Sequence, residues 1–315
     1  MSKFLNHVPL SENRPPFISF LVVLLISLGC FQAIGPIIGM IVVLPFFDFD
    51  LTNLLEVLGN VTQHPEAKVP VILIQGIASF LGFILVPLIY LRWSEKKPLS
   101  IFFNKQSIAP IPVLLTFFLT LTFMVVNSFF IEWNINWDLP DAVSEFENLA
   151  RSFEESARLQ TEFLTTFDNP GQFILALIVI AVIPAFGEEL LFRGFAQNYL
   201  NKITGNIHAA IWITGFLFSL FHLQFYGLVP RMLLGVLFGY LYLWSGSLST
   251  AIIAHFINNG FTLIMIYLYQ LGLIEIDIEA QESMPFSTIA IFATVFITLA
   301  FAFRNYFSKK IQVET

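Results

Sequence analysis

Charge is what this sequence has least of. Asp, Glu, Lys and Arg make up 12% of its 315 residues, about half of the ~25% usual in a soluble domain. With 57% hydrophobic residues and 37 Phe, that scarcity excludes an ordinary soluble fold and points to a polytopic membrane protein. Cysteine is almost absent. A lone Cys30 excludes an internal disulfide and any cysteine-based zinc cluster. No basic patch is present and the formal net charge is −7, so no nucleic-acid partner is expected. No internal repeat and no hydrophilic domain is found, and residues 1–315 are expected to form a single membrane domain.

What is present is a series of apolar runs, about eight in number. Phe17–Phe47 is too long for one straight crossing, and Gly35-Pro36 is expected to kink it. Val69–Leu91 and Ile108–Ile131 come next, closing an N-terminal group of helices over residues 1–135. Residues 136–170 are acidic, and Asp141–Phe167 carries Phe146, Leu149, Phe153, Leu159 and Phe163 at helical spacing, the pattern of an extracytoplasmic amphipathic helix. A core over 171–272 holds four further runs: one from Phe173, then His208–Phe221, Met232–Trp244 and Leu248–Leu271. Asn198–Asn206 is read as a polar connection between the first two. After acidic Ile274–Glu282, residues 286–315 give a last helix and a basic tail. With both termini in the cytoplasm, eleven cations fall inside (Lys3, Arg14, Arg92, Lys96, Lys97, Lys105, Arg193, Lys202, Arg304, Lys309 and Lys310). Four fall outside: Lys68, Arg151, Arg158 and Arg231. That bias is the one the positive-inside rule requires.

The fourth run ends in Pro184-Ala-Phe-Gly-Glu-Glu-Leu-Leu-Phe-Arg-Gly194. Ionisable residues within a membrane segment are costly and mark function. Glu189 and Arg193, four apart with the acid first, are expected to pair on one face. Glu188, turned about 100° away, is expected to face a different partner and to be available as a base. A structural ion pair at a helix end is the plainer alternative. Phe218-x-x-x-His222 ends the next run, stacking a ring beneath an imidazole. His255-x-x-x-Asn259 sets two potential donors side by side, a pattern suited to an oxyanion. Taken singly, each membrane histidine reads first as a helix-to-helix hydrogen bond rather than as a catalyst. His208, Asn127 and Gln75 are assigned to such bridging, and Asn258 is a weaker candidate turned away from Asn259.

Glu188-Glu189-x-x-x-Arg193, Phe218-x-x-x-His222 and His255-x-x-x-Asn259, in that order on successive apolar helices, resemble the three signatures of the CPBP family. That family comprises the intramembrane proteases that include CAAX prenyl endopeptidases and the bacterial Abi proteins. The resemblance spans roughly residues 170–262. It implies an all-α polytopic bundle of about eight transmembrane helices with a conical active-site cavity inside the membrane. It also implies an endopeptidase acting on a membrane-anchored protein or peptide, in a bacterial inner membrane. Glu188 and His222 would activate water, His255 and Asn259 would hold the oxyanion, and Glu189, Arg193 and Phe218 would support them. No cofactor is expected to be required. The alternative is a divalent metal such as zinc held by Glu188, His222 and His255, although no HExxH is present. Two other functions compete: a non-catalytic binding or immunity factor of the same fold, and a proton-coupled transporter relaying through Glu188 and His222. One difficulty is depth. Counted along the runs, His222 falls far from the level shared by Glu188 and His255, unless Asn198–Asn206 dips into the membrane or the fifth helix starts deeper.

Overall fold

Proline sets the shape of the long helices. The computed structural model describes Leu10, residues 14–275 and residues 284–313, with side chains described through residue 308. Much of the expected acidic segment Ile274–Glu282, together with Lys3, lies outside that range. The described residues form ten helices. They are α1 (Pro16–Phe47), short α2 (Leu51–Gly59), α3 (Pro65–Ser94), α4 (Pro110–Ile135), α5 (Ser144–Thr165), α6 (Pro170–Thr204), α7 (Ile207–Leu220), α8 (Leu228–Ser245), α9 (Leu248–Gln270) and α10 (Phe286–Val313). The protein is an all-helical polytopic bundle. Seven of these helices are long and apolar enough to cross a membrane, and α7 is a shorter apolar helix of 14 residues.

A proline inside a helix cannot donate to the carbonyl four residues before it. Each of α1, α3 and α6 widens to a π-helical turn just before such a proline: Cys30–Ile34 before Pro36, Phe80–Leu85 before Pro87, and Leu177–Val182 before Pro184. The bend expected at Gly35-Pro36 is therefore a π-turn, a frequent companion of functional sites. Gly35 and Gly39 allow α1 to lie against α3. A Cβ at Gly35 would stand 2.5 Å from the Ala78 Cα.

The core sits where α1, α3, α6, α8 and α9 converge, around Phe83, Phe102, Phe192, Phe195, Tyr199, Phe238 and Tyr242. Arg14 donates to Ser94 and Lys202 to the Leu10 carbonyl at one end of the bundle. Lys68 reaches the Thr166 carbonyl and Asp168 at the other.

Helix α5 is the expected amphipathic segment. Its exposed face is laced by Arg158 with Glu155 and Glu162. Its inner face meets the segment 221–227: Phe146 packs on Phe225, Tyr226 donates to Glu147, and Gln224 donates to Glu154. The Arg151 guanidinium beside Glu147 holds that carboxyl below the usual carboxylate range, and the Tyr226 hydroxyl adds to the effect.

One sequence expectation is corrected. Asn198–Asn206 is not a connection, because α6 continues unbroken to Thr204 and turns at Gly205 (φ 64°). Gln197, Asn198, Tyr199 and Leu200 are buried. Their polarity serves interior hydrogen bonds rather than solvent. Asn198 donates to the Arg193 and Gly194 carbonyls and to Tyr242, and Gln197 donates to the Gly239 carbonyl.

Candidate active site

The continuous α6 removes the difficulty of depth. Sixteen positions separate Glu188 from Thr204, and fifteen separate Ile207 from His222. At ~1.5 Å per residue the two legs of this hairpin are about 24 and 22 Å long, so both residues come to the same level. A 14-residue α7 is ~21 Å long, short of the ~30 Å hydrocarbon thickness, and the turn after it lies at bundle depth. In that turn His222 binds the Phe218 carbonyl through Nδ1 at 2.9 Å. Nδ1 therefore carries the hydrogen and Nε2 is left with a lone pair. Leu223, the next residue, has φ 54°, left-handed backbone that is uncommon for a side-chain-bearing residue and that clusters at functional sites.

The expected pair forms. Glu189 Oε1 accepts from Arg193 Nη1 at 2.7 Å, both side chains fully buried. Arg193 Nη2 donates to the Gly235 carbonyl at 2.6 Å, and its guanidinium lies between the rings of Phe218 and Phe238. One turn further along, Gln197 donates to the Gly239 carbonyl. Two donors four apart on α6 thus meet two carbonyls four apart on α8. Glycine at 235 is required by the close approach, since a Cβ there would stand 2.9 Å from the Gly215 Cα and 3.2 Å from Arg193 Nη2.

Glu188 does not face a partner different from that of Glu189. Both carboxylates address His255. Its Nδ1 donates to Glu189 Oε1 at 2.8 Å, and its Nε2 lies 4.0 Å from Glu188 Oε2. An imidazole carries its nitrogens on separate edges, so one ring spans the angle between adjacent helix positions. Phe238 stacks on His255 with centroids 5.1 Å apart and planes at 20°. Phe218 meets both imidazoles edge-on, at 5.3 Å from His222 and 5.9 Å from His255.

Asn259 is placed otherwise than expected. Its Nδ2 donates to the Ile180 carbonyl at 3.0 Å and its Oδ1 accepts from Asn258. Ile180 is the residue whose carbonyl Pro184, having no N–H, cannot serve. Asn259 thus closes the gap that the proline opens in α6, and Asn258 orients its amide. The other polar residues divide. His208 bonds Tyr240 and Asn127 donates to the Pro230 carbonyl, bridging helices as expected. The Gln75 Oε1 is buried without a partner.

No group of three or more His, Cys, Asp or Glu side chains among the described residues gathers closely enough to hold a metal ion. Each imidazole has its Nδ1 engaged, which leaves Nε2 as the position open to a ligand, and the Phe218 ring packs against both rings. Two spaces adjoin the His222 turn. One, of about 700 Å³, is lined by Arg151, Glu154, Gln224, Tyr226 and Arg231 among others. The second, of about 340 Å³, is nearly all apolar and lies between Phe146, Leu149 and Phe153 of α5 and Leu220, Leu223 and Leu228. Neither is lined by Glu188 or His255, so these spaces do not form the conical cavity expected around those residues.

The sequence reading missed Gly235 and Phe238. Gly235-x-x-x-Gly239 is a small-residue pattern of the kind that brings membrane helices together, and it was available as a signal.

No curated protein and no solved structure matches the chain significantly. Residues 170–261, the stretch that holds Glu188, Glu189, Arg193, Phe218, His222, His255 and Asn259, match a family described as Type II CAAX prenyl endopeptidase Rce1-like. The resemblance read from three short motifs is thus matched by a family comparison, and at the level of the family this segment is similar to the domain of an intramembrane CAAX-type endopeptidase of the CPBP family.

Proposed function

We propose that this chain hydrolyses a peptide bond of a membrane-associated protein or peptide, with Glu188 as the base and without a required metal. One observation carries the reading. Glu188 Oε2 and His255 Nε2 face each other at 4.0 Å, too far for a direct hydrogen bond, and both are buried on a rigid frame. Set off the line joining them, a scissile carbonyl and the water that attacks it can lie within reach of both groups. Glu188 takes a proton from water, and the water oxygen attacks the scissile carbonyl carbon. The carbon–nitrogen bond then breaks, and the proton passes to the leaving nitrogen. The His222 lone pair at Nε2 is the second acceptor for the attacking water. His255, held through Nδ1 by Glu189, turns Nε2 toward the reacting carbonyl, and donation to the oxyanion from that nitrogen requires a hydrogen on it. In this reading Asn259 holds α6 at Pro184. We place both termini in the cytoplasm on the distribution of the cations, and the protein in a bacterial plasma membrane by family analogy.

The test compares membrane proteomes of cells carrying the wild-type protein and Glu188→Ala, together with cleavage by the purified proteins in nanodiscs. The variant is expected to insert and fold normally and to lose all turnover, with uncut peptides accumulating. Turnover retained by a correctly folded Glu188→Ala protein overturns the assignment.

A further inference from the structure

The two spaces beside α5 meet at Gln224, which lines both. One is charged and about 700 Å³ in volume, and the other is apolar and about 340 Å³. Each falls in the ~300–1,000 Å³ range of ligand sites. The charges in the larger space sort almost completely. Arg151 pairs with Glu147, and Arg158 with Glu155 and Glu162. One cation and one anion are left over. Arg231 enters from the first turn of α8, and its Nη1 is buried without a hydrogen-bond partner. That nitrogen rests against Gly227, where a Cβ would collide with it, so the other edge of the guanidinium is turned to the space. Glu154 accepts from Gln224 through Oε1, while its Oε2 is buried without a partner. Among the described residues Glu154 and Arg231 make no ion pair with each other. The place is also particular. Helix α5 is amphipathic and α7 has only 14 residues, so a charged space joined to an apolar one lies at the level where headgroups meet acyl chains.

We propose that the paired spaces hold one phospholipid with an ethanolamine headgroup, its phosphate on Arg231, its ammonium on Glu154 and part of an acyl chain in the apolar space. An unmatched cation beside an unmatched anion calls for a zwitterion. The guanidinium fork suits a phosphate, and a primary ammonium brings N–H donors to the carboxylate. Phosphatidylglycerol carries the anion alone and leaves Glu154 without a partner. Phosphatidylcholine carries both charges, but its quaternary nitrogen has no N–H to donate. A soluble phosphodiester leaves the apolar space unfilled. The lipid ties α5 to the first turn of α8 beside the turn that carries His222, and the assignment stands apart from the endopeptidase reading.

The experiment mixes the full chain in detergent with equal amounts of dioleoyl phosphatidylethanolamine, phosphatidylcholine and phosphatidylglycerol, and native mass spectrometry counts the lipid retained on the intact protein. Wild-type protein is expected to keep one phosphatidylethanolamine, preferred about ten- to a hundred-fold over each of the others, the span of one charged hydrogen bond. Glu154→Ala should erase the preference over phosphatidylcholine. Arg231→Gln should lower retention of both zwitterionic lipids. Gly227→Ala keeps the charge but displaces the guanidinium, and it should act as Arg231→Gln does if that variant fails to fold. Hydrogen exchange across α5 and 221–227 should slow when phosphatidylethanolamine is added to wild type, and stay unchanged in Glu154→Ala. Equal retention of the three lipids by wild type overturns the proposal, and so does a preference for phosphatidylglycerol, which would mark a simple anion site. Full displacement of the lipid by an equal concentration of glycerophosphoethanolamine, which has no acyl chains, also overturns it and identifies a soluble phosphodiester as the occupant.

Discussion

Helices α6 and α10 have nearly the same mean hydropathy, yet 50% of the most apolar stretch of α6 is buried within the protein, against 11% for α10. The same solvent selected both compositions, and different neighbours selected their details. Helix α10 presents Ile291, Ile297 and Phe301 outward and makes its side-chain hydrogen bonds mainly back to its own carbonyls, as at Thr294 and Thr298. Helix α6 directs Glu189, Arg193, Gln197 and Asn198 at other helices, and little of that polarity is lost on lipid. An apolar environment makes each polar group either paired or costly. The density of paired groups therefore separates a working helix from a packing one.

That contrast is broken most severely at the buried ion pair. Arg193→Ala removes the guanidinium paired with the fully buried Glu189 and should cost about 3–5 kcal/mol, read as thermal unfolding in detergent. Ile297→Ala on the outer face of α10 should change stability by less than ~0.5 kcal/mol. Similar losses at the two positions would end the distinction. Next comes Gly235→Ala, where the added methyl meets Gly215, Arg193 and Phe218. Overpacking of this kind costs about 1–3 kcal/mol, and the same substitution at Gly29, which has open space around it, should be neutral or stabilising. Smaller again is the link between Asn259 and Pro184. Asn259→Leu should cost about 1–3 kcal/mol in the wild type because it orphans the Ile180 carbonyl. In a Pro184→Ala background, where the backbone can supply an N–H, it should cost less. A coupling below ~0.5 kcal/mol in that double-mutant cycle would refute the link.

The smallest effect concerns pH. Glu147 is held below the usual carboxylate range by Arg151 and Tyr226. Its contribution is therefore complete above the ordinary glutamate value of ~4.3 and is lost as pH falls through the depressed one. Protection factors of amides in 221–227, with the intrinsic pH dependence of exchange divided out, should fall below about pH 4 in the wild type but stay level there in Glu147→Gln.

The same contrast explains how much of the molecule was legible beforehand. A charge inside an apolar run is conspicuous, so Glu188, Glu189 and Arg193 stood out, and the four-residue spacing gave the pair. The amphipathic α5 was equally plain from its period. Partners joined by tertiary contact stayed hidden. His255 reaches Glu189 across 66 positions, and no local rule connects them. Pro184 announced an unserved carbonyl at Ile180, but only the packing of α9 on α6 shows that Asn259 serves it. The polar run from Asn198 misled for a related reason, because interior and solvent-facing hydrogen bonds have the same composition. Arg231 counted in the sequence only as an outside cation, and only the structure shows its Nη1 buried without a hydrogen-bond partner.

The α6–α7 hairpin also acts as a ruler. Its two legs place Glu188 opposite His222 by count alone, so the identities of residues along the lipid-facing side, such as Ile203, Trp212 or Phe216, matter far less than their number. Removing one residue between Ala196 and Thr204 would draw the histidine ~1.5 Å out of line and rotate the remainder of the hairpin by ~100°. Substitution along the lipid-facing side of this hairpin should be forgiving, and insertion or deletion should not.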